Sequence, residues 1–354
     1  MADYYDGTKL LSMKDINNKT PEIFMVTSNR TGGKTTYFGR LLMNRWFKKV
    51  EKFCLIYRYK YELDDCADKF FKDIGALFFK NYYMTSQPKA KGCYHELYVA
   101  NIYDEEGDTR ECCGYAIALN AADAIKKNSH MLSDVSSMLF DEFQSETNNY
   151  CTDELSKFIS VHVSIARGRG QQVRYVPVYM CANPVTILNP YYTSMHISER
   201  LHDDTVFLRG DGFVLEQGYN EGASVAQENS GFNRAFKHEK YVAYAAQAVY
   251  LNDNKAFIET PKGKNNYICT IKYKDREFCL REYPDDGIMY CGDTVDSSFP
   301  YKVSVTTDDH NVNYIMLKRN ELMVMRMRFY FDRGCFRFKN LACKEALLAM
   351  VSLH

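Results

Sequence analysis

Ile23-Phe24-Met25-Val26-Thr27-Ser28-Asn29-Arg30-Thr31-Gly32-Gly33-Lys34-Thr35-Thr36 is an apolar strand-like run that breaks into a polar, glycine-bearing loop and enters a helical stretch, Thr36 to Lys49. A polyphosphate site needs strand, loop and helix in that order. The loop turns backbone N–H groups inward, a lysine reaches the terminal phosphates, and a hydroxyl faces a magnesium ion. Gly33, Lys34 and Thr35 supply those parts, and the nucleotide-contacting stretch runs from Ser28, Asn29, Arg30, Thr31 and Gly32 through to Thr36. The consensus for such loops opens with glycine, where Ser28 stands. The plainer alternative is a glycine turn before a helix with Lys34 in solvent.

From Pro21 to about Tyr192, apolar runs alternate with longer helical stretches; the runs are Ile23 to Val26, Phe53 to Tyr57, Val135 to Phe140 and Val173 to Cys181. That alternation specifies an α/β domain, a parallel sheet with helices on its faces. Such sheets bind ligands beyond the carboxyl ends of their strands, which is where Asp141-Glu142 falls. Asp141 suits a magnesium-holding role, and Glu142 suits orienting or deprotonating an attacking water. Two acids capping a strand end without function is the competing reading. In one domain, the lysine loop and the acidic strand end together complete a magnesium-nucleotide hydrolysis site, so ATP and Mg2+ are expected.

A helix over Asp153 to Ala166 leads to Arg167-Gly168-Arg169-Gly170, where glycines end the helix and leave two arginines on a bend. A guanidinium there can stabilise charge spreading on a γ-phosphate, contact a DNA backbone, or face solvent. Asn183 ends the next run at the same sheet edge as Asp141; it either senses the γ-phosphate or the attacking water, or caps the turn before Pro184. Pro177 inside that run removes a ladder donor and argues for an edge, a bulge or a shorter strand. Arg58 and Lys60, after the second strand, either reach phosphate or belong to plain surface.

The remainder has a different grammar. Gly210, Gly212, Gly218, Gly222 and Gly231 dissolve the alternation, so 206–250 reads as linker plus a helix over Phe232 to Val249. Short strand runs follow at Tyr267 to Tyr273, Phe278 to Arg281, Gly287 to Tyr290 and Tyr301 to Val305, then helices near Val312 to Arg328 and Leu341 to Val351. The division expected is 1–205, an N-terminal nucleotide domain; 206–250; and 251–354, a smaller α+β domain. With 45 Lys plus Arg against 45 Asp plus Glu, no global basic field draws a nucleic acid, so attraction needs locally segregated charge. No apolar run approaches the roughly 18 residues of a membrane span, and acidic, tyrosine-rich Met1 to Asp6 is unlike a secretory signal, so no membrane partner is expected. Twelve cysteines without a CxxC pair read as reduced residues of a cytosolic protein.

The ordered set SNRTGGKT, FCLIYRYKYEL, MLFDEF, ARGRG, VRYVPVYMCANPVTILNPYY and FYFDRGCFRFKN closely resembles the DNA-packaging (encapsidation) ATPases of phi29-type tailed bacteriophages. The resemblance covers most of the chain and implies a P-loop NTPase domain of the ASCE, RecA-like kind, followed by an RNase H-like, vestigial nuclease domain. It further implies a homo-oligomeric ring, typically a pentamer, on the portal or connector of an empty prohead. There it drives double-stranded DNA inward with ATP, in the host cytoplasm and transiently on the prohead. Some relatives also use a structural prohead RNA. Carried over by position, Lys34 and Thr35 go to phosphate and magnesium, Asp141 to magnesium, and Glu142 to the catalytic water. Arg167 matches a finger acting on the neighbouring subunit's ATP, with Arg169 its companion, and Asn183 matches a polar sensor. Arg58 and Lys60 match a basic segment linked to nucleotide exchange and subunit coupling. Lys34, Glu142 and Arg167 form the catalytic set, and Ser28 departs from the family's glycine.

The acids of the first C-terminal hairpin sit in or beside Lys274-Asp275-Arg276, not at a strand centre, so no nuclease activity is expected. Lys318, Arg319, Arg326, Arg328, Arg333, Arg337 and Lys339 make a local basic stretch, with Phe329, Tyr330, Phe331, Phe336 and Phe338 interleaved and mostly expected in the core. The competing functions are a P-loop small-molecule kinase, a DNA-translocating ATPase not tied to packaging, and a scaffold that binds ATP only to assemble.

Overall fold

The computed structural model describes residues 4–103, 110–127, 129–167, 172–198, 200–201, 205–247, 250–251, 253, 256–317 and 322–351. The chain divides into two compact units, Met1–Asn252 and Asp253–His354.

The first unit holds strands β1 (Ile23–Thr27), β2 (Lys52–Tyr57), β3 (Tyr82–Lys89), β4 (Tyr94–Asn101), β5 (Glu111–Ala118), β6 (Val135–Asp141), β7 (Val178–Ala182), β8 (Phe207–Arg209) and β9 (Phe213–Gln217). They form one sheet in the order β3-β4-β5-β2-β6-β7-β1-β9-β8. The central strands β5, β2, β6, β7, β1 and β9 run parallel. Antiparallel β4 and β3 extend one side, and β8 closes the other. Its helices are α1 (Thr8–Ser12), α2 (Lys34–Lys49), α3 (Cys66–Phe78), α4 (Ala122–Lys127), α5 (Glu154–Ala166), α6 (Pro190–Ser194), α7 (Glu221–Asn229), α8 (Gly231–Ala235) and α9 (Lys240–Gln247).

Successive strand residues point to opposite faces, which gives the sheet two cores. Phe24, Val26, Leu55 and Tyr179 meet Phe38, Leu42 and Trp46 of α2 and Phe70 and Ile74 of α3. On the other face Met25, Ile56, Phe140 and Met180 meet Phe158, Val161 and Ile165 of α5, together with Tyr191 and Tyr192. Each fully buried side chain of this size contributes roughly 1.5–3 kcal/mol, which fixes the helices on the sheet and the loops at its ends.

Three expectations change. The run Val173 to Cys181 is a strand only from Val178 to Ala182: Pro177 has no N–H to donate, and Val173 is 76% exposed. Residues 206–250 are not a spacer, because β8 and β9 lie in the main sheet with Phe213, Val214 and Leu215 buried; Gly212, at φ 75°, turns a hairpin rather than loosening a tether. The single helix over Phe232 to Val249 is α8 and α9, broken after Ala235.

The second unit pairs β10 (Asn266–Tyr273), β11 (Arg276–Tyr283), β12 (Ile288–Gly292), β13 (Lys302–Ser304), β14 (Ile315–Met316) and β15 (Phe336–Phe338) in the order β14-β13-β10-β11-β12-β15, with α10 (Leu322–Asp332) and α11 (Leu341–Val351). The helix expected over Val312 to Arg328 starts only at Leu322, since Ile315 and Met316 pair with β13. At least three of the seven cations of the basic stretch are paired: Arg326 with Glu282, Arg337 with Glu259 and Lys339 with Asp293. Lys318 and Arg319 lie outside the described residues. Of the interleaved aromatics only Phe336 and Phe338 are core; Phe329 is exposed and Tyr330 and Phe331 are half-buried, because α10 turns that face toward solvent. All twelve cysteines are free thiols, and among the described residues no helix is long and apolar enough to cross a membrane.

Candidate nucleotide site

Because β7 lies between β1 and β6, the carboxyl ends of three strands stand side by side, with Thr27 beside Ala182 and Asp141 beside Cys181. The loop leaving β1 and the residues leaving β6 and β7 therefore share one edge. They line a cleft of about 430 Å³ that includes Gly33, Lys34, Thr35, Asp141, Glu142 and Asn183.

The loop turns into α2 at Gly33, whose φ of 89° is left-handed. A Cβ there would also stand 2.8 Å from the Tyr4 ring, so both conformation and contact call for glycine. Lys34 is only 7% exposed and folds back on the loop: its Nζ donates to Ser28 O (3.0 Å), Ser28 Oγ (2.9 Å), Asn29 O (3.1 Å) and Asn183 Oδ1 (3.2 Å). Ser28, in the place of the consensus glycine, thus serves as an acceptor for the lysine. Burial pulls the Lys34 ammonium down to about 8, partly opposed by Cys181 and Asp141.

Thr35 Oγ1 donates to Asp141 Oδ2 at 2.9 Å, and the Glu142 N–H donates to Asp141 Oδ1 at 3.1 Å. Burial raises the Asp141 pKa, opposed by the Thr35 hydroxyl and Lys34. A hydroxyl and a carboxylate meeting beside the lysine are hard oxygen donors of the kind magnesium takes, so these residues fit that ion. Glu142 has φ 55°, a left-handed conformation that costs a non-glycine residue roughly 1–2 kcal/mol. Partial withdrawal from water, then Asp141 and Glu146, push its carboxyl above the usual range.

Sequence reasoning missed the braces around this edge. Asn29, fully buried, holds the backbone of Asn220 by two reciprocal bonds of 2.9 Å. Asn220 also caps α7, accepting from Ala223 N at 2.7 Å. Arg30, at the cleft wall, pairs with Glu146, lies 5.8 Å from the Tyr244 ring, and donates its N–H to Ala245 O at 3.0 Å. Tyr244 in turn donates to Glu146 at 2.7 Å. Nothing in the local sequence pattern signals these partners, because they join segments 98 or more residues apart.

The expected arginines disperse. Arg58 is no surface group: it is buried, with Nε donating to Glu154 Oε2 at 2.8 Å. Lys60 is exposed and donates to Lys91 O at 2.6 Å. Arg167 follows the C-terminal end of α5, where Arg174 ties Ile165 O and Ala166 O to Val135 O, the first residue of β6. Asp141 is the last residue of that strand, so Arg167 sits at the sheet edge opposite its own cleft, roughly 20 Å away along β6. Arg169 lies outside the described residues. Thr31 (φ 59°) and Thr36 line the cleft beside Gly32.

Fold and site together define a P-loop protein of the ASCE class. The family model for the Podovirus DNA encapsidation protein (Gp16) matches residues 1–351. The chain belongs to that family. The curated DNA packaging proteins of Bacillus phages phi29 and PZA are each 25% identical over 344 residues, 95% of this chain and 93% of theirs. Two solved structures share the fold. The bacteriophage Phi-29 viral genome packaging motor assembly matches with a TM-score of 0.69 at 22% identity, over 98% of this chain and 99% of that one. The Phi-28 gp11 DNA packaging motor matches with a TM-score of 0.61 at 15% identity, over 100% and 99%.

Proposed function

We propose that the first unit hydrolyses ATP and that the chain, in a ring of its own copies on the portal of a prohead, couples this to moving double-stranded DNA inward. The convergence of Lys34, Thr35, Asp141 and Glu142 at one sheet edge carries the reading. Lys34 exchanges its loop acceptors for the β- and γ-phosphates, and Asn183, already bonded to it, reports the terminal phosphate. Thr35 and Asp141 would hold magnesium, which supplies neutralisation of phosphate charge when bound. Glu142 orients the attacking water and takes its proton. The place of Arg167 on the far edge favours action on a neighbouring copy, because it does not reach its own cleft.

The family resemblance suggests five copies, a site of work in the host cytoplasm on the prohead, and a structural RNA as a further partner. In the second unit we propose no cutting activity. The side chain of Asp275 is 92% exposed in a turn, and among the described residues no group of three or more His, Cys, Asp or Glu is placed to hold a metal.

The test is steady-state ATP hydrolysis with magnesium, with and without double-stranded DNA and proheads, on wild type and Glu142→Gln, alongside nucleotide binding. DNA-stimulated turnover that the variant loses while it still binds ATP supports the motor; turnover unchanged by the variant overturns the role of Glu142. Mixing Glu142→Gln with Arg167→Ala subunits should restore turnover at mixed interfaces, and none in proven mixed rings would remove the trans arginine.

A further inference from the structure

Directly beneath the acidic strand end lies a charged cluster. The Arg58 guanidinium, on a side chain 8% exposed, donates through Nε to Glu154 Oε2 (2.8 Å), and the Glu154 side chain is 2% exposed. Its opposite corner, Nη2, donates to Phe143 O at 2.9 Å, and both Nη atoms lie 3.4 Å from Glu142 O. The cluster continues behind it: Tyr191 OH donates to Glu154 Oε1 at 2.8 Å, and Cys151 N donates to Glu154 Oε2 at 3.0 Å. Tyr191 is fully buried against Phe140, Phe143 and Phe158. The rings of Phe140 and Tyr150 flank the guanidinium at 5.6 and 5.0 Å.

A buried ion pair is seldom the cheapest filling for a core, since apolar residues of equal volume do as well or better. This pair has one feature that apolar residues could not copy. Arg58 spends its remaining donors on the carbonyls of the residue proposed to act on water and of the one after it, and Glu142 is the residue held at φ 55°. The direction of a side chain follows from its backbone dihedrals. A planar five-donor fork fixed at one corner by Glu154 can set those dihedrals, and an ammonium cannot.

We infer that Arg58, locked by Glu154 and Tyr191, is a positioning residue for Glu142. The inference rests on the reading of Glu142 given above. Misplacement of a reacting group by about 1 Å costs about 100-fold in rate, so losing the clamp should lower kcat by that order while nucleotide affinity changes less than about threefold.

The experiment uses the full chain and separates positioning from packing. Arg58→Met and Glu154→Leu, each alone, leave a buried partner charge and are expected to lower the melting temperature. The double variant removes both charges and should recover part of the lost stability, since Tyr191, Cys151 and Phe143 still lose their partners, but not the fork on the carbonyls. The expected result is a double variant that melts above either single variant, binds ATP like wild type and turns over about 100-fold more slowly. Arg58→Lys should likewise stay slow. Turnover recovered along with stability, or lost only in step with nucleotide binding, would overturn the inference. If Glu142→Gln, assayed in parallel, keeps wild-type turnover, the reading of Glu142 fails instead, and the positioning role fails with it. If that variant is inactive and the double variant is fully active, the positioning role alone is wrong.

Discussion

Raising the pH from 7 to 9 should progressively disable nucleotide binding, and the buried lysine fixes by how much. In the ligand-free loop Lys34 loses its proton near pH 8 because it is buried, whereas a phosphate-bound ammonium stays charged. Only the protonated fraction is competent, so apparent affinity falls by a factor of one plus ten to the power of pH minus 8. This is about 1.1 at pH 7, about 2 at pH 8 and about 11 at pH 9, the last worth about 1.4 kcal/mol. Each ATP bound at pH 9 should then carry in about 0.9 of a proton. Titration calorimetry in two buffers of different ionisation enthalpy reads both quantities. Lys34→Arg, charged throughout, should show neither the slope nor the uptake. Affinity constant within twofold from pH 7 to 9, without proton uptake, would refute the reasoning. The same shift has a stability consequence. The folded value lies below the ordinary 10.5, so the unfolded chain binds more protons between about pH 8 and 10.5, and ligand-free stability should rise across that window. At neutral pH the buried charge costs about 3 kcal/mol.

Two further outcomes follow from the same edge. The raised carboxyl of Glu142 must be ionised to accept a proton, so kcat should fall on the acid side at a higher pH than an ordinary carboxylate would give; a pH–rate profile shows the limb, and Glu142→Gln should lower turnover by about 10²–10⁴. Asn29→Ala strips both bonds from the Asn220 backbone and should cost about 2 kcal/mol, visible as a melting temperature lower by several degrees together with weaker ATP binding; an unchanged melt would show that the brace carries no load.

The parts legible in the sequence are those whose chemistry is local. Strand, glycine turn and lysine follow one another within a dozen residues, and Asp141-Glu142 announces itself by ending an apolar run, so the cleft was readable before the fold was known. The two hairpin strands β8 and β9 were not: three to five residues among glycines carry too little periodicity to separate a sheet edge from a tether. Strand β3 is equally hard to read, because as the outermost strand it pairs only with β4 and its half-exposed residues interrupt the apolar signal. Arg58 shows the deeper limit. In Tyr57-Arg58-Tyr59-Lys60 it looks like one of two equivalent surface cations, yet one ends in a core ion pair and the other on an exposed carbonyl. Its partner Glu154 stands 96 positions away, where local pattern carries no information.

Helix α5 begins at Glu154, in the cluster under the acidic strand end, and stops one residue before Arg167 at the opposite edge of the sheet. Its 13 residues are seated in the core through Phe158, Val161 and Ile165, and well-packed interiors transmit strain rather than absorb it. The helix is therefore a tie rod joining two edges of one molecule. Glu154 beneath the cleft and Ala166, from which Arg167 departs, are the two ends of one stiff element. If copies assemble into the ring proposed above, a shift at the cleft end of that rod would be carried to the end that leads into Arg167.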